Sequence, residues 1–221
     1  MKRAVALSSL LLGLLIAGAA TGQGTPPPSD PQLTFEDSAV VASGLTPGKA
    51  VAWFGVEHRI DPGYSGEMIQ RYDVGTAAAD GTARLELPQP LAPRSFWVAV
   101  DLESGGFAVA APGGYRLAKP LHPSRLRALE GAASDEILDD RPYLMGLVVR
   151  PGGGAWAFAG GDGGPRDEDG ASDGHLRFAL DKLDPLLGSP AAPARSQKAD
   201  LWFIVAPLTM EISVHKGGVA Q

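Results

Sequence analysis

Short apolar runs separated by glycine- and proline-rich turns extend through most of this chain, and they restrict its fold more than any other feature. Glycine (29 residues) and proline (19) together make up about a fifth of the 221 residues, against about an eighth in average proteins. Both residue types are unfavourable inside helices, so a helical bundle is excluded. The pattern predicts an all-β sandwich or barrel.

Seven of the runs in the first half have strand character, being apolar or alternating and bounded by turn residues. They span residues 33–36, 39–41, 50–56, 67–72, 83–87, 96–100 and 107–110. The helical candidates are residues 123–129 or 134–138, and both are short enough to be strand or turn instead.

The N-terminal residues have the character of a secretory signal. Three residues with two positive charges precede an uncharged, mostly apolar stretch at 4–20, which predicts a signal peptide at 1–22 that is cut after Gly22. The alternative is a retained membrane anchor, but the apolar run is short for a spanning helix. Residues 23–32 are rich in proline and are expected to form an extended tether. We therefore expect a secreted or periplasmic protein with no membrane span after cleavage.

Charge and cysteine content exclude several function classes. The net charge is −6 and no block of Lys or Arg is present, so nucleic acid is not an expected partner. The chain has no cysteine, which excludes disulfides and thiol catalysis.

An internal repeat relates the two halves of the chain. The sequence DGTARLEL at 80–87 matches DGHLRFAL at 173–180 in four positions, and WVAV at 97–100 is similar to WFIV at 202–205. The second copy carries about 12 extra residues, which fall in a long loop at 181–199. The repeat predicts tandem β-sandwich domains at 33–117 and 118–217. The alternative is chance similarity between strands, which share a restricted set of residues.

Two turns in the first copy carry a resemblance to known modules. The sequence GLTPGKAV at 44–51 places a Gly-Leu-x-Pro-Gly turn before a strand, and Asp80-Gly81 precedes another strand. Both resemble turns of fibronectin type III and bacterial immunoglobulin-like modules, mainly over residues 33–115. The resemblance implies two tandem immunoglobulin-like sandwiches used for spacing or recognition, without catalytic residues. The chain departs from the family in lacking a cysteine pair and, in the second copy, the Gly-Leu-x-Pro-Gly turn.

An acidic loop at 162–173 is the strongest site candidate. Oxygen ligands on a loop that can curl suit calcium, and the spacing resembles the middle of EF-hand and dockerin loops. Pro165 and Leu176 stand where the outer ligands of an EF-hand are required, so only a looser calcium loop is consistent with the sequence. The predicted ligands are Asp162, Asp167, Asp169 and Asp173. The alternative is a solvated polar loop, in which case no cofactor is indicated.

Aromatic residues beside glycines suggest a second type of site. Trp156, Tyr64 and Tyr115 could form an exposed platform on which a sugar stacks. Trp97 and Trp202 lie inside apolar strands and are expected in the core.

No catalytic motif is found in the sequence. Ser65, for example, lacks the Gly-x-Ser-x-Gly spacing of a nucleophile elbow. The expected function is therefore a non-enzymatic structural or recognition role at the cell surface or in the periplasm, with a protein or a glycan as partner. One alternative is a calcium-assisted carbohydrate- or protein-binding module. Another is a hydrolase whose site assembles only in the fold, and the oligomeric state stays open.

Overall fold

A computed structural model describes residues 30–59, 67–112, 125–128, 134–138, 143–161, 164–165, 175–207 and 211–216. For 125–128, 134–138, 175–179 and the strand ends at 67, 211 and 216, only the backbone is described. The predicted signal peptide, most of the tether and the boundary near residue 117 lie outside these ranges.

The described residues form fifteen strands and one short 3-10 helix (Leu180–Lys182), so the all-β prediction is confirmed. The strands are β1 (Gln32–Glu36), β2 (Ala39–Ser43), β3 (Ala50–Arg59), β4 (Glu67–Thr76), β5 (Ala83–Glu86), β6 (Arg94–Asp101), β7 (Phe107–Ala110), β8 (Arg125–Ala128), β9 (Ser134–Leu138), β10 (Leu144–Arg150), β11 (Gly154–Gly160), β12 (His175–Ala179), β13 (Asp184–Pro185), β14 (Leu201–Ala206) and β15 (Glu211–Lys216).

Both helical candidates are wrong. Residues 125–128 and 134–138 are the strands β8 and β9, which pair with each other in antiparallel register. β9 also pairs with β12, so its backbone groups bond to neighbours on both sides. Pairing with two strands overrides the weak local preference of such short segments.

The strands form four antiparallel sheets. Sheet I has the order β1-β2-β5 and sheet II the order β4-β3-β6-β7, both from the first half of the chain, residues 30–112. The second half, residues 125–216, forms sheet III (β13-β11-β10-β14-β15) and sheet IV (β12-β9-β8).

Sheets II and III are apolar on both faces, as expected for strands covered on two sides. In β3 and β6, alternate side chains face opposite directions, and ten apolar residues of these two strands have 0 or 1% exposure. Gly55 lies opposite Trp97, and a Cβ at residue 55 would overlap the Trp97 ring. The indole therefore needs glycine at this position.

One core joins the two halves of the chain. The residues of this central core come from sheets II and III and pack face to face: Ala52, Phe54, Val56, Phe96, Val98, Val100, Met145, Leu147, Val149, Ala155, Leu201, Phe203, Val205 and Ile212. Phe107 of the first half contacts Phe203 of the second edge to face, with ring centroids 5.1 Å apart. The two halves therefore share one hydrophobic core.

Two further cores lie on the outer faces of this pair of sheets. Side chains of sheet I, including Val40 and Leu85, pack on Trp53 and Trp97 of sheet II. On the other side, Trp156 and Trp202 of sheet III pack with residues of the 181–199 segment, including Leu183. All four tryptophans are buried, and the expected core positions of Trp97 and Trp202 are confirmed.

Candidate functional site

A fully buried carboxylate lies at one end of sheet II. Glu57 is 0% exposed, and its two oxygens accept hydrogen bonds from Arg59 Nη2 and Arg71 Nε, each at 2.8 Å. Arg59 also donates to the Pro90 carbonyl at 2.8 Å. A buried carboxylate needs such partners because its desolvation is costly. The three side chains therefore tie β3 and β4 to the segment before β6.

A second buried carboxylate organises the Gly-Leu-x-Pro-Gly turn. Asp101, at the end of β6, accepts hydrogen bonds from the Thr46 backbone N (2.7 Å) and hydroxyl (2.5 Å). Its other oxygen accepts from the backbone N of Glu103 (2.9 Å) and Ser104 (3.2 Å). Burial by itself would raise the pKa of Asp101, but these donors outweigh it and hold the pKa below 3.8.

The lowered pKa of Asp101 predicts a loss of stability in acid. Because the unfolded chain takes up this proton at a higher pH than the folded chain, the stabilisation is complete above about pH 4 and is lost as the pH falls through the folded pKa. We expect the free energy of unfolding of the wild type to exceed that of Asp101→Asn by an amount that shrinks in this range. Urea titrations of both proteins measured between pH 2 and pH 6 would show this, and a difference independent of pH would contradict it.

A third buried carboxylate holds the end of the long loop. Asp200 is 0% exposed and accepts two hydrogen bonds from the Arg150 guanidinium, at 2.7 and 2.8 Å, and one from the Gln197 backbone N at 2.7 Å. The hydrogen bonds to Asp200 raise the pKa of Arg150. Arg150 donates as well to the Arg195 carbonyl, which fixes the loop against β10.

A cleft of about 420 Å³ opens between the two halves, beside the end of β4, and it is the candidate functional site. One wall is β4 at residues 74–76, and the opposite wall is the turn at 187–189 that follows β13. The halves meet at the cleft through a hydrogen bond of 2.6 Å from the Gly152 backbone N to the Leu102 carbonyl.

The rim of the cleft carries both charge and apolar surface. Lys49 and Glu103 form an ion pair of 3.1 Å, and both side chains are about half exposed. Leu187 is 80% exposed, the most of any large apolar side chain among the described residues. No group of three or more His, Cys, Asp or Glu side chains stands close enough to hold a metal in the described part of the chain.

The predicted aromatic platform is wrong at Trp156. This side chain is 1% exposed, its Nε1 donates to the Pro190 carbonyl at 3.0 Å, and the Arg150 guanidinium lies 5.7 Å from its ring centre. The 181–199 segment covers the indole, which leaves no face for a sugar. Tyr64 and Tyr115 lie outside the described residues.

The predicted calcium ligands also lie outside the described residues. They are Asp162, Asp167, Asp169 and Asp173. Calcium binding by the acidic loop therefore stays a prediction.

Reasoning from the sequence missed the buried carboxylates and the cleft. A glutamate inside the apolar strand AVAWFGVEHR is a detectable signal for Glu57, since a charge at a core position requires a partner. Its partner Arg71 cannot be identified without the pairing of β3 and β4. The cleft forms between sheets II and III, and no short segment of the sequence indicates how these two sheets are placed relative to each other.

No family model matches this chain, and no curated protein or solved structure shows significant similarity to it. None of the described residues belongs to a helix that is long and apolar enough to span a membrane.

Proposed function

We propose that this chain is an exported, non-enzymatic protein of two fused immunoglobulin-like sandwiches, with a recognition or spacing role at the cell surface or in the periplasm. The observation that supports this most strongly is the strand order. Sheet I has three strands in the order β1-β2-β5, and the facing sheet II has four in the order β4-β3-β6-β7. This is an arrangement of immunoglobulin-like modules.

The second half has the same order of strands. β8, β9 and β12 correspond to β1, β2 and β5, and β11-β10-β14-β15 corresponds to β4-β3-β6-β7. The extra strand β13 falls within residues 181–199, where the repeat places its additional residues. This correspondence supports a degenerate tandem repeat.

The use of the buried polar groups supports a structural role for the scaffold. Glu57, Asp101 and Asp200 each bind arginine or backbone donors that fix strands and turns. Groups engaged in this way position the loops and the cleft, as a recognition scaffold requires. The cleft between the halves is the surface on which we place recognition.

Export is testable by fractionation. We expect the full chain, expressed in a Gram-negative bacterium, to be released by osmotic shock with an N-terminus at Gln23, since residues 1–22 have the features of a cleaved signal. The control is the variant Leu11→Arg/Leu14→Arg, which interrupts the apolar stretch and should stay uncut in the cytoplasm. Mass spectrometry of each fraction gives the N-terminus. An intact chain beginning at Met1 in the cytoplasm of the wild-type culture would contradict the proposal.

A further inference from the structure

The proline-rich tether joins the described chain beside the loop between β6 and β7. Pro31 lies against this loop, since a Cβ at Gly106 would stand only 3.2 Å from the Pro31 ring. The same loop contains Leu102 and Glu103, which line the cleft. Residues 23–29, which precede the described chain, therefore attach at the end of sheet II that carries the cleft.

The tether is long enough to reach the cleft. Residues 23–29 are seven residues, and polyproline II chain rises about 3.1 Å per residue, so their reach from residue 30 is about 22 Å. Glu103 stands three positions before Gly106, in the loop that Pro31 contacts. The nearer side of the cleft is therefore within the reach of this segment.

The walls of the cleft offer an apolar contact and a backbone donor. Leu187 is 80% exposed on one wall. On the opposite wall, the Thr76 N–H points away from β3, because the neighbouring Ala77 N donates to the Lys49 carbonyl at 2.9 Å and backbone direction alternates along an antiparallel strand. Among the described residues, none accepts a hydrogen bond from the Thr76 N.

Charge favours a neutral occupant of the cleft. Lys49 and Glu103 are the charged side chains among the described lining residues, and they pair with each other at 3.1 Å. A strongly acidic or basic segment would therefore find no uncompensated partner on these walls. Residues 23–29, with the sequence QGTPPPS, carry no charged side chain.

We propose that the tether of the mature protein folds back into the cleft, where its prolines pack against Leu187 and one of its carbonyls accepts the Thr76 N–H. The inference rests on the proposed function, in which cleavage after Gly22 leaves this segment at the N-terminus. Proline rings bring apolar surface without a backbone donor to satisfy, and polyproline II chain is extended before it binds, so its ordering costs little. A partner that uses the cleft must displace the tether.

Covalent attachment makes weak docking sufficient. A short linker holds its segment at an effective concentration on the order of 1 mM. A dissociation constant of about 1 mM for the unattached segment would therefore fill the cleft in about half of the molecules. Docking within one chain does not depend on protein concentration, which distinguishes it from a contact between two copies.

A spin label on the tether tests the proposal in residues 23–221. The chain has no cysteine, so Thr25→Cys gives a single attachment point for a nitroxide. We expect the label to broaden the amide signals of Gly153, Leu187 and Gly188, and we expect the broadening to persist on dilution. Signals that stay sharp would overturn the proposal. Broadening that is lost on dilution would assign the cleft to the tether of a second copy and overturn it as well.

Two variants separate docking from simple attachment beside the cleft. Replacing residues 26–28 with glycine keeps the length of the tether but removes the proline rings, and Leu187→Asp removes the exposed apolar contact. Each should weaken docking about tenfold, which lowers the docked fraction from about one half to about one tenth. The matched control is Val214→Asp, at an exposed valine of β15, which should broaden the signals as the wild type does. Equal broadening in the wild type and in both variants would overturn the proposal.

This inference and the proposed function can fail separately. Export is measured on the full chain by fractionation, whereas the labelled protein is produced without residues 1–22. Sharp amide signals would remove the tether from the cleft and leave the exported scaffold unaffected. An uncut chain in the cytoplasm would contradict export without changing what the spin label reports.

Discussion

Replacing Phe203 with alanine is expected to lower the free energy of unfolding of the whole chain by about 3–5 kcal/mol. Phe203 is 0% exposed in the central core, and its ring contacts Phe107 from the other half. Truncation leaves a cavity between sheets II and III, so both halves lose packing at once. Urea denaturation followed by tryptophan fluorescence measures the change, because Trp53 and Trp97 report on the first half and Trp156 and Trp202 on the second.

The matched control for this prediction is Leu187→Ala. Leu187 is 80% exposed, so its truncation should change the free energy of unfolding by no more than about 0.5 kcal/mol. An effect of Phe203→Ala as small as that of the control would contradict the central core. Loss of structure confined to the second half would contradict it as well.

Replacing Glu57 with alanine is expected to cost about 3–5 kcal/mol, the second large effect. Without the carboxylate, Arg59 and Arg71, whose side chains are only about a quarter exposed, are left beside the space that the fully buried Glu57 side chain filled. The remaining positive charges are then uncompensated, which costs more than the ion pairs themselves contribute. The measurement is the midpoint and slope of urea unfolding at pH 7.

Glu86→Ala is the control for Glu57. Glu86 also pairs with an arginine, Arg84, but both side chains are largely exposed, so the loss should be at most about 1 kcal/mol. If the two variants lost the same stability, burial of Glu57 would not be the source of the effect.

Much of the β-structure could be predicted from the sequence because it is encoded locally. All seven strand runs in the first half are strands, since apolar residues at alternate positions and glycine-rich turns act over a few residues. The prediction of a helix at residues 134–138 was wrong because pairing with β8 and β12 determines the structure of this segment.

The shared core could not be predicted from the sequence. Apolar residues on both faces of β3, β6, β10 and β14 indicate that two layers cover each strand, but not which layers these are. Phe107 and Phe203 are 96 positions apart, and nothing in either local sequence identifies the other as its neighbour.

The site was predicted less well than the fold because burial depends on distant segments. Trp156 lies between glycine-rich turns, which is typical of an exposed loop, yet Pro190 accepts its indole N–H and the long loop covers it. The cleft depends on the same segment, since residues 187–189 form one of its walls. The 181–199 loop, which the internal repeat identified only as extra residues, therefore both buries Trp156 and forms one wall of the cleft.

We expect the two halves to unfold as one unit because they share a core, and differential scanning calorimetry of residues 23–221 measures this. The thermogram should show a single transition in which the calorimetric and van't Hoff enthalpies agree. Two separate transitions, with Glu57→Ala lowering only one of them, would contradict it.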